Sequence, residues 1–307
     1  MTTSPVGLAA QNSEKSIELV AASTKAYGIA KRVWGLQLAL AILVGIAGPV
    51  VAVQFPDLKV WSAVAGLVVL LLDTFLLEGL IQGHRAAGAK MQELFDTSLY
   101  GLPWNELVAT VKPLPEEVVR LSNAARSDGS DWTRYKDWYP PVAATTALPL
   151  GVLVCQRSNA SWDSSLRREF SFALTAVLFL VVGVGLVVGL PHHWSYEQWL
   201  LSLAVPVTPL AIRIWRDRTA NERVSVDSGR LRDRLASVWK RALDGSLQGD
   251  ALACEERLIQ DDLYRRRSTS PFVPNWFYKV RRARHESDMN VTAEKLVAEA
   301  NESVASL

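Results

Sequence analysis

FSFALTAVLFLVVGVGLVVGL, residues 170–190, runs for 21 residues without a charge. An unbroken apolar helix of that length is long enough to cross a hydrocarbon layer about 30 Å thick. Towards the N-terminus a second charge-free run, VWGLQLALAILVGIAGPVVAV (33–53), is preceded by Lys31-Arg32 and followed by Asp57 and Lys59. From Val60 the run VWSAVAGLVVLLL continues through Asp73 and Glu78 to Ile81, too soon after the first for any connection but a helical hairpin. Beyond Pro191-His192-His193, a shorter fourth run extends from Trp194 to Ile212, with Glu197 near its start and Pro206 and Pro209 further in. These runs predict an all-α membrane protein with four transmembrane helices arranged as two hairpins, 33–81 and 170–212. A segment at 1–32, a middle segment at 82–169 and a helical region at 213–307 would then lie in the cytoplasm.

Charge supports that topology. The chain has 307 residues, 33 basic and 31 acidic, for a net charge of +2. Lys25, Lys31 and Arg32 precede the first run, Arg85 and Lys90 follow the second, Arg167 and Arg168 precede the third, and Arg213, Arg216 and Arg218 follow the fourth; the hairpin connections hold only Lys59. The side rich in Lys and Arg is the cytoplasmic one, so both termini are expected inside. Trp34, Trp61, Trp194, Trp199 and Trp215 sit at or near run ends, where indoles favour the headgroup layer. Mostly polar residues precede the first run and a return run follows at once, so a cleaved signal is not expected.

Composition and motifs exclude several functions. Near-neutral charge argues against DNA or RNA as a partner held by bulk electrostatics. Two cysteines, Cys155 and Cys254, cannot build a disulfide framework or a cysteine-based zinc site. No phosphate loop, nucleophile elbow, H-E-x-x-H or dinucleotide fingerprint is present, and no cofactor, metal or enzymatic activity is expected. His192 and His193 are read as polar residues of an external turn.

The regions outside the runs predict helices. Pro115 followed by Glu116 and Glu117 opens one that extends to about Arg126, because proline suits the first turn and carboxylates complement the helix dipole. Leu231, Leu235, Val238 and Ala242 mark one face of another, which Gly245 ends. The stretch from Asp128 to Ala147, rich in Pro, Asp, Trp and Tyr, predicts an ordered loop.

Three groups of residues are candidates for function. Ser62, Gly66 and Asp73 share one stripe of the second run, and an acid at that depth must face protein or water, as a pore lining, an oligomer face or a protonated structural group. Arg134, Trp138, Tyr139, Gln156, Arg157, Asn159, Trp162, Arg167 and Arg168 mix cations with aromatic and amide groups, and Arg265, Arg266, Arg267, Trp276, Arg281 and Arg282 form an alternative cluster. Aromatic faces stack bases and guanidinium forks grip phosphates, so either cluster could receive an anionic nucleotide. On the residues alone, contact with inner-membrane lipid or pairing within the chain ranks above nucleotide binding.

The stretch DWYPPVAATTALPLGVLVCQRSNASWDSSLRREF (137–170) leads straight into a membrane run. It is joined by RLIQDDLYRRRSTSPFVPNWFYKVRR (257–282), by Gln11-Asn12 with Glu14, Leu19, Tyr27 and Lys31, and by Met289-Asn290 with Glu294-Lys295-Leu296. In combination these resemble the SMODS-associated four-transmembrane effector family of bacteria, over almost the whole chain. The resemblance implies a pore-forming role in cyclic-oligonucleotide anti-phage signalling. A nucleotidyltransferase would act on it through its product, the cyclic oligonucleotide, and the effector would assemble as a homo-oligomer and permeabilise the inner membrane. A non-conducting membrane-anchored sensor or scaffold is the alternative.

Overall fold

The computed structural model describes residues 7–129, 131–189 and 205–306. Among these every regular element is helical. In chain order the α-helices are α1 (Glu14–Gln54), α2 (Lys59–Leu72), α3 (Glu78–Tyr100), α4 (Glu106–Ala109), α5 (Pro115–Ser127), α6 (Leu148–Gly189), α7 (Val205–Leu243), α8 (Gly249–Thr269) and α9 (Asn275–Ser306). The all-α reading therefore holds. Among the described residues no helix is long and apolar enough to cross a membrane. The turn at 191–193 and the fourth run as far as residue 204 lie outside the described residues, as do several side chains in 41–74, most in 181–189 and all of 205–210.

Local chemistry explains the helix ends. In α5, Pro115 occupies the first turn behind an extended Leu114, Glu116 and Glu117 face the positive end, and Arg126 lies in the last turn. α7 buries Leu231, Leu235 and Val238 on its predicted face and stops at Leu243, where Gly245 takes a φ of 75° that a side chain would oppose. α1, α6 and α7 run on through residues 32, 169 and 212, where side-chain character changes but the helix does not end. α2 passes into α3 through a π-helical segment, Asp73–Leu77, so the helix widens from Asp73 onward.

The loop at 128–147 is ordered, as its composition predicts. The Asp131 carboxylate accepts the Thr133 amide at 2.9 Å and caps a 3-10 turn, Trp132–Tyr135, and a second 3-10 turn spans Pro141–Thr145. Tyr135, Tyr139 and Ala143 enter the core from this loop. A reciprocal pair of hydrogen bonds helps hold it: Asn12 Nδ2 donates to Asp137 Oδ1 at 2.8 Å, and the Asp137 backbone N–H donates to Asn12 Oδ1 at 2.9 Å. Asp137 itself has a φ of 49°, and the reciprocal pair with Asn12 stabilises that left-handed backbone. At Gly151, near the start of α6, an added Cβ would lie 2.4 Å from the Ala143 carbonyl oxygen and 2.6 Å from Leu8 Cδ1, so only glycine fits.

The chain divides into two units. The first comprises residues 1–28, 84–166 and 224–307, and contains the main core, with Phe95, Leu99, Leu153, Leu235 and Ile259 almost fully buried. The second comprises residues 29–83 and 167–223. Inside it, Arg167 Nη1 donates to Asn221 Oδ1 at 3.0 Å, and Arg218 bonds Thr175 at 3.2 Å and pairs with Glu222 at 2.7 Å. Most of the exposed large apolar side chains among the described residues belong to this second unit, including Leu67, Val68, Leu71, Leu72, Phe75 and Leu76.

Candidate functional site

The chemistry of the first unit concentrates in a buried polar cluster between α3, α6, α8 and the loop after α5. Asp96 is fully buried on α3: its Oδ1 accepts the Tyr139 hydroxyl at 2.6 Å, and its Oδ2 accepts Arg267 Nη1 at 2.5 Å and Gln260 Nε2 at 2.9 Å. One turn earlier, Glu93 accepts Arg257 Nη2 at 2.6 Å and Gln260 Nε2 at 2.8 Å. Arg257 also donates to Asp261 at 2.8 Å, and Asp261 takes the Asn105 amide at 2.7 Å. Asn159 donates to the Tyr139 hydroxyl at 2.8 Å, while Gln156 Nε2 donates to the Glu256 carbonyl at 2.9 Å and to Gln260 Oε1 at 3.3 Å.

Burial sets the electrostatics of this cluster. Desolvation raises Glu93 above the ordinary carboxylate range, against the pull of Arg257. Desolvation and then the Asp96 charge hold the Tyr139 phenol well above its usual value. Burial would lower Arg267, but the charge and hydrogen bond of Asp96, together with Tyr139 and Tyr27, outweigh it and hold the guanidinium well above its usual value. Glu256 is pushed up to about 8 by burial. Its Oε1 accepts no hydrogen bond among the described residues, which leaves the ionised form without compensation.

The structure sorts the first predicted cluster into distinct environments. Tyr139, Gln156 and Asn159 belong to the buried network, and their polar atoms serve the core. Trp138 packs half-buried on that core, and Trp162 lies 5.9 Å from the Tyr278 ring and 5.4 Å from His285. Arg134 is exposed, its guanidinium 4.7 Å from the Tyr135 ring. Arg167 and Arg168 belong to the second unit. Arg157 differs from all of these: it is half-buried, and it has no hydrogen bond or ion pair among the described residues. Burial lowers its pKa, Arg232 lowers it further, and Glu299 and Asp233 act against them.

The alternative cluster is also divided. Arg267 is inside, paired with Asp96; Arg266 donates to Ser228 Oγ at 3.2 Å; Arg265 pairs with Asp262 at 3.4 Å. Arg281 stacks 5.7 Å from the Phe277 ring, Arg282 pairs with Glu286 at 2.6 Å, and Trp276 is exposed. An open depression of about 220 Å³ beside Arg265 and Arg266 is also lined by Asp227 and Asp262, two acids against two bases. Ser62, Gly66 and Asp73 lie at positions whose side chains fall outside the described residues. Among the described residues no group of three His, Cys, Asp or Glu could hold a metal ion.

Sequence reasoning missed Glu93, Asp96, Arg257, Gln260 and Asp261. A signal existed, because Arg257, Gln260, Asp261, Tyr264 and Arg267 follow at helical spacing and mark a polar face. That face lies within the 257–282 stretch that carried the family resemblance. Residues 8–296 match the SMODS-associating 4TM effector domain. The chain belongs to that family. A protein of Bacillus cereus (strain VD146), described as a probable CBASS effector molecule, is 27% identical over 291 residues, covering 91% of this chain and 94% of the relative. No solved structure matches the effector. Membership in this effector family is consistent with an anti-phage effector role.

Proposed function

We propose that this effector threads the bacterial inner membrane four times, as hairpins 33–81 and 170–212 with both termini cytoplasmic. A cyclic oligonucleotide made by a partner nucleotidyltransferase then drives it to oligomerise and permeabilise that membrane. The observation that carries this reading is the apolar surface of the second unit. Leu67, Val68, Leu71, Leu72, Phe75 and Leu76 are exposed over consecutive turns. Water-soluble monomers rarely leave such a surface uncovered, whereas hydrocarbon requires one. The family description and the probable CBASS effector from Bacillus support the same role. Four helices fill their own interior, so a water-filled conduit requires several chains.

For the receptor we place the signal's phosphate against Arg157, the half-buried cation of the first cluster that lacks a partner among the described residues. An anion there offsets the cost of burying the guanidinium next to Arg232. Arg134, Trp138 and Trp162 remain the candidates beyond it in the first unit, while Tyr139, Gln156 and Asn159 carry the change into the core. The ligand acts only by binding the assembled state more tightly than the resting one.

Full-length protein in liposomes should release a trapped dye only when a cognate cyclic di- or trinucleotide is added. Silence with every such nucleotide, from protein shown to be folded, would reject permeabilisation. R157E should weaken nucleotide binding about tenfold or more, the equivalent of losing a charge-assisted hydrogen bond of roughly 1.5–3 kcal/mol. Unchanged affinity in R157E would remove this arginine from the receptor.

A further inference from the structure

The first three turns of α9 have two sharply different faces. Phe277 and His285 are buried, Tyr278 and Arg281 are half-buried, and Trp162 packs on Tyr278 and His285. Those contacts fix the rotation of the helix, and therefore fix what points outward. The outward positions are Trp276, Lys279, Val280, Ala283 and Arg284, spaced i, i+3, i+4, i+7 and i+8 along one stripe. Trp276 is 65% exposed and Val280 is 71% exposed. Burying the other face while leaving an indole and an isopropyl group in water gives the folded monomer nothing.

The character of the stripe indicates its partner. Lys279 and Arg284 flank the apolar pair, and Arg282 lies alongside, where Glu286 holds one of its nitrogens. Arg284 approaches Asp288 only at 4.0 Å, with both side chains largely exposed. An indole beside an aliphatic group, bordered by cations, is the composition of a helix lying at the surface of an anionic bilayer. There the ring enters the headgroup layer and the cations meet lipid phosphates. The cations cluster in these early turns; beyond Arg284, Glu286, Asp288, Glu294, Glu299 and Glu302 outnumber Lys295, so a patch of membrane matches the stripe and a long polyanion does not.

We infer that the Trp276–Arg284 face of α9 docks peripherally on an anionic phospholipid surface and anchors the start of this helix to the bilayer. The inference rests on the membrane reading above only for the nearness of a bilayer. Docking would tie the buried side of α9, with Phe277 and His285, to the membrane plane, so release or engagement of the stripe would be felt within the first unit.

The test uses the full chain with Val280→Cys labelled by an environment-sensitive fluorophore. Exposed Cys254 is replaced by serine, so only buried Cys155 remains as a native thiol. The protein is reconstituted in vesicles of phosphatidylcholine alone, or of phosphatidylcholine with phosphatidylglycerol. The expected result is a shift to shorter wavelength in the anionic vesicles only, quenched by spin-labelled lipid and lost when Lys279→Glu and Arg284→Glu are added. Equal emission in both vesicles would overturn the inference. So would a short wavelength already present in detergent that grows with protein concentration, because a second copy would then cover the face. Ala283→Cys gives the same reading if Val280→Cys does not fold. Alkaline carbonate extraction of the unlabelled chain tests the four spans separately: a chain that is released sinks that reading and leaves the label result standing.

Discussion

Arg267 donates to Asp96 at 2.5 Å in a site where the carboxylate is fully buried and the guanidinium nearly so. The same carboxylate holds the Tyr139 hydroxyl and the Gln260 amide. Pairing within the chain, one of the two readings ranked first for the 265–282 cluster, is what Arg267 does in the middle of the first unit. Tyr139 and Arg267, drawn from the two separate candidate clusters, meet on one acid.

Removing one partner of this pair leaves a buried charge. R267M should destabilise the full chain in detergent by about 3–5 kcal/mol, and D96L by a similar amount. The double variant should recover part of the loss, but not all, since Tyr139 and Gln260 still lose an acceptor. Thermal and denaturant unfolding of the four proteins measures the cycle. Single variants within about 1 kcal/mol of the parent would show that solvent reaches the pair.

Glu256 gives the first unit a pH dependence of definite sign. Its folded pKa, about 8, lies above the ordinary value of 4.5, so the folded state holds the proton more tightly than the unfolded chain. Stability from this group is fully present below the unfolded value and declines as pH rises from there through about 8. E256Q should remove that decline, and its advantage over the parent should widen from acid to mildly alkaline pH. Unfolding curves between those limits check it; parallel curves for the two proteins would place Glu256 in water.

How much of this was legible in the sequence depends on what a pattern encodes. Pro115 with two following glutamates, and the Leu231–Val238 stripe ended by Gly245, specify helices locally, and those helices are present. The ordered loop was legible because turn residues there alternate with aromatic ones. The burial of Tyr139, Gln156 and Arg267 was not, because a helix repeat shows which residues share a face and not what covers it. Glu93, Asp96, Arg257 and Gln260 resemble a solvated polar stripe until α3 and α8 bring their stripes together. Arg157 was chosen for its charge alone; what distinguishes it, burial without a partner, exists only in three dimensions.

Gly151 tests the contact that seats the 141–145 turn on α6. In G151A the new methyl group meets a backbone oxygen at 2.4 Å and Leu8 at 2.6 Å. Overpacking of this kind costs about 1–3 kcal/mol. Adding Leu8→Ala should not restore stability, because the Ala143 carbonyl cannot move aside as a side chain can. A full rescue by the second substitution, measured as the unfolding midpoint, would show that the turn yields and that Leu8 is the only obstacle.

Asp73 separates a conducting effector from a scaffold. It lies where the helix of the second run widens into a π segment, the kind of local defect that frees backbone groups and is frequent at functional sites. A carboxylate within an apolar span costs about 2.5–3.5 kcal/mol on insertion scales, so D73L should insert at least as well as the parent. If Asp73 lines a pore or an oligomer face, that gain comes with loss of dye release and of toxicity at unchanged expression. A scaffold that conducts nothing has no use for the charge and should keep its activity, or improve on it. The decisive measurement is therefore permeabilisation per inserted molecule, with the amount of membrane-embedded D73L matched to that of the parent. Full activity at matched insertion would assign the acid a structural role and remove the main intramembrane argument for conduction.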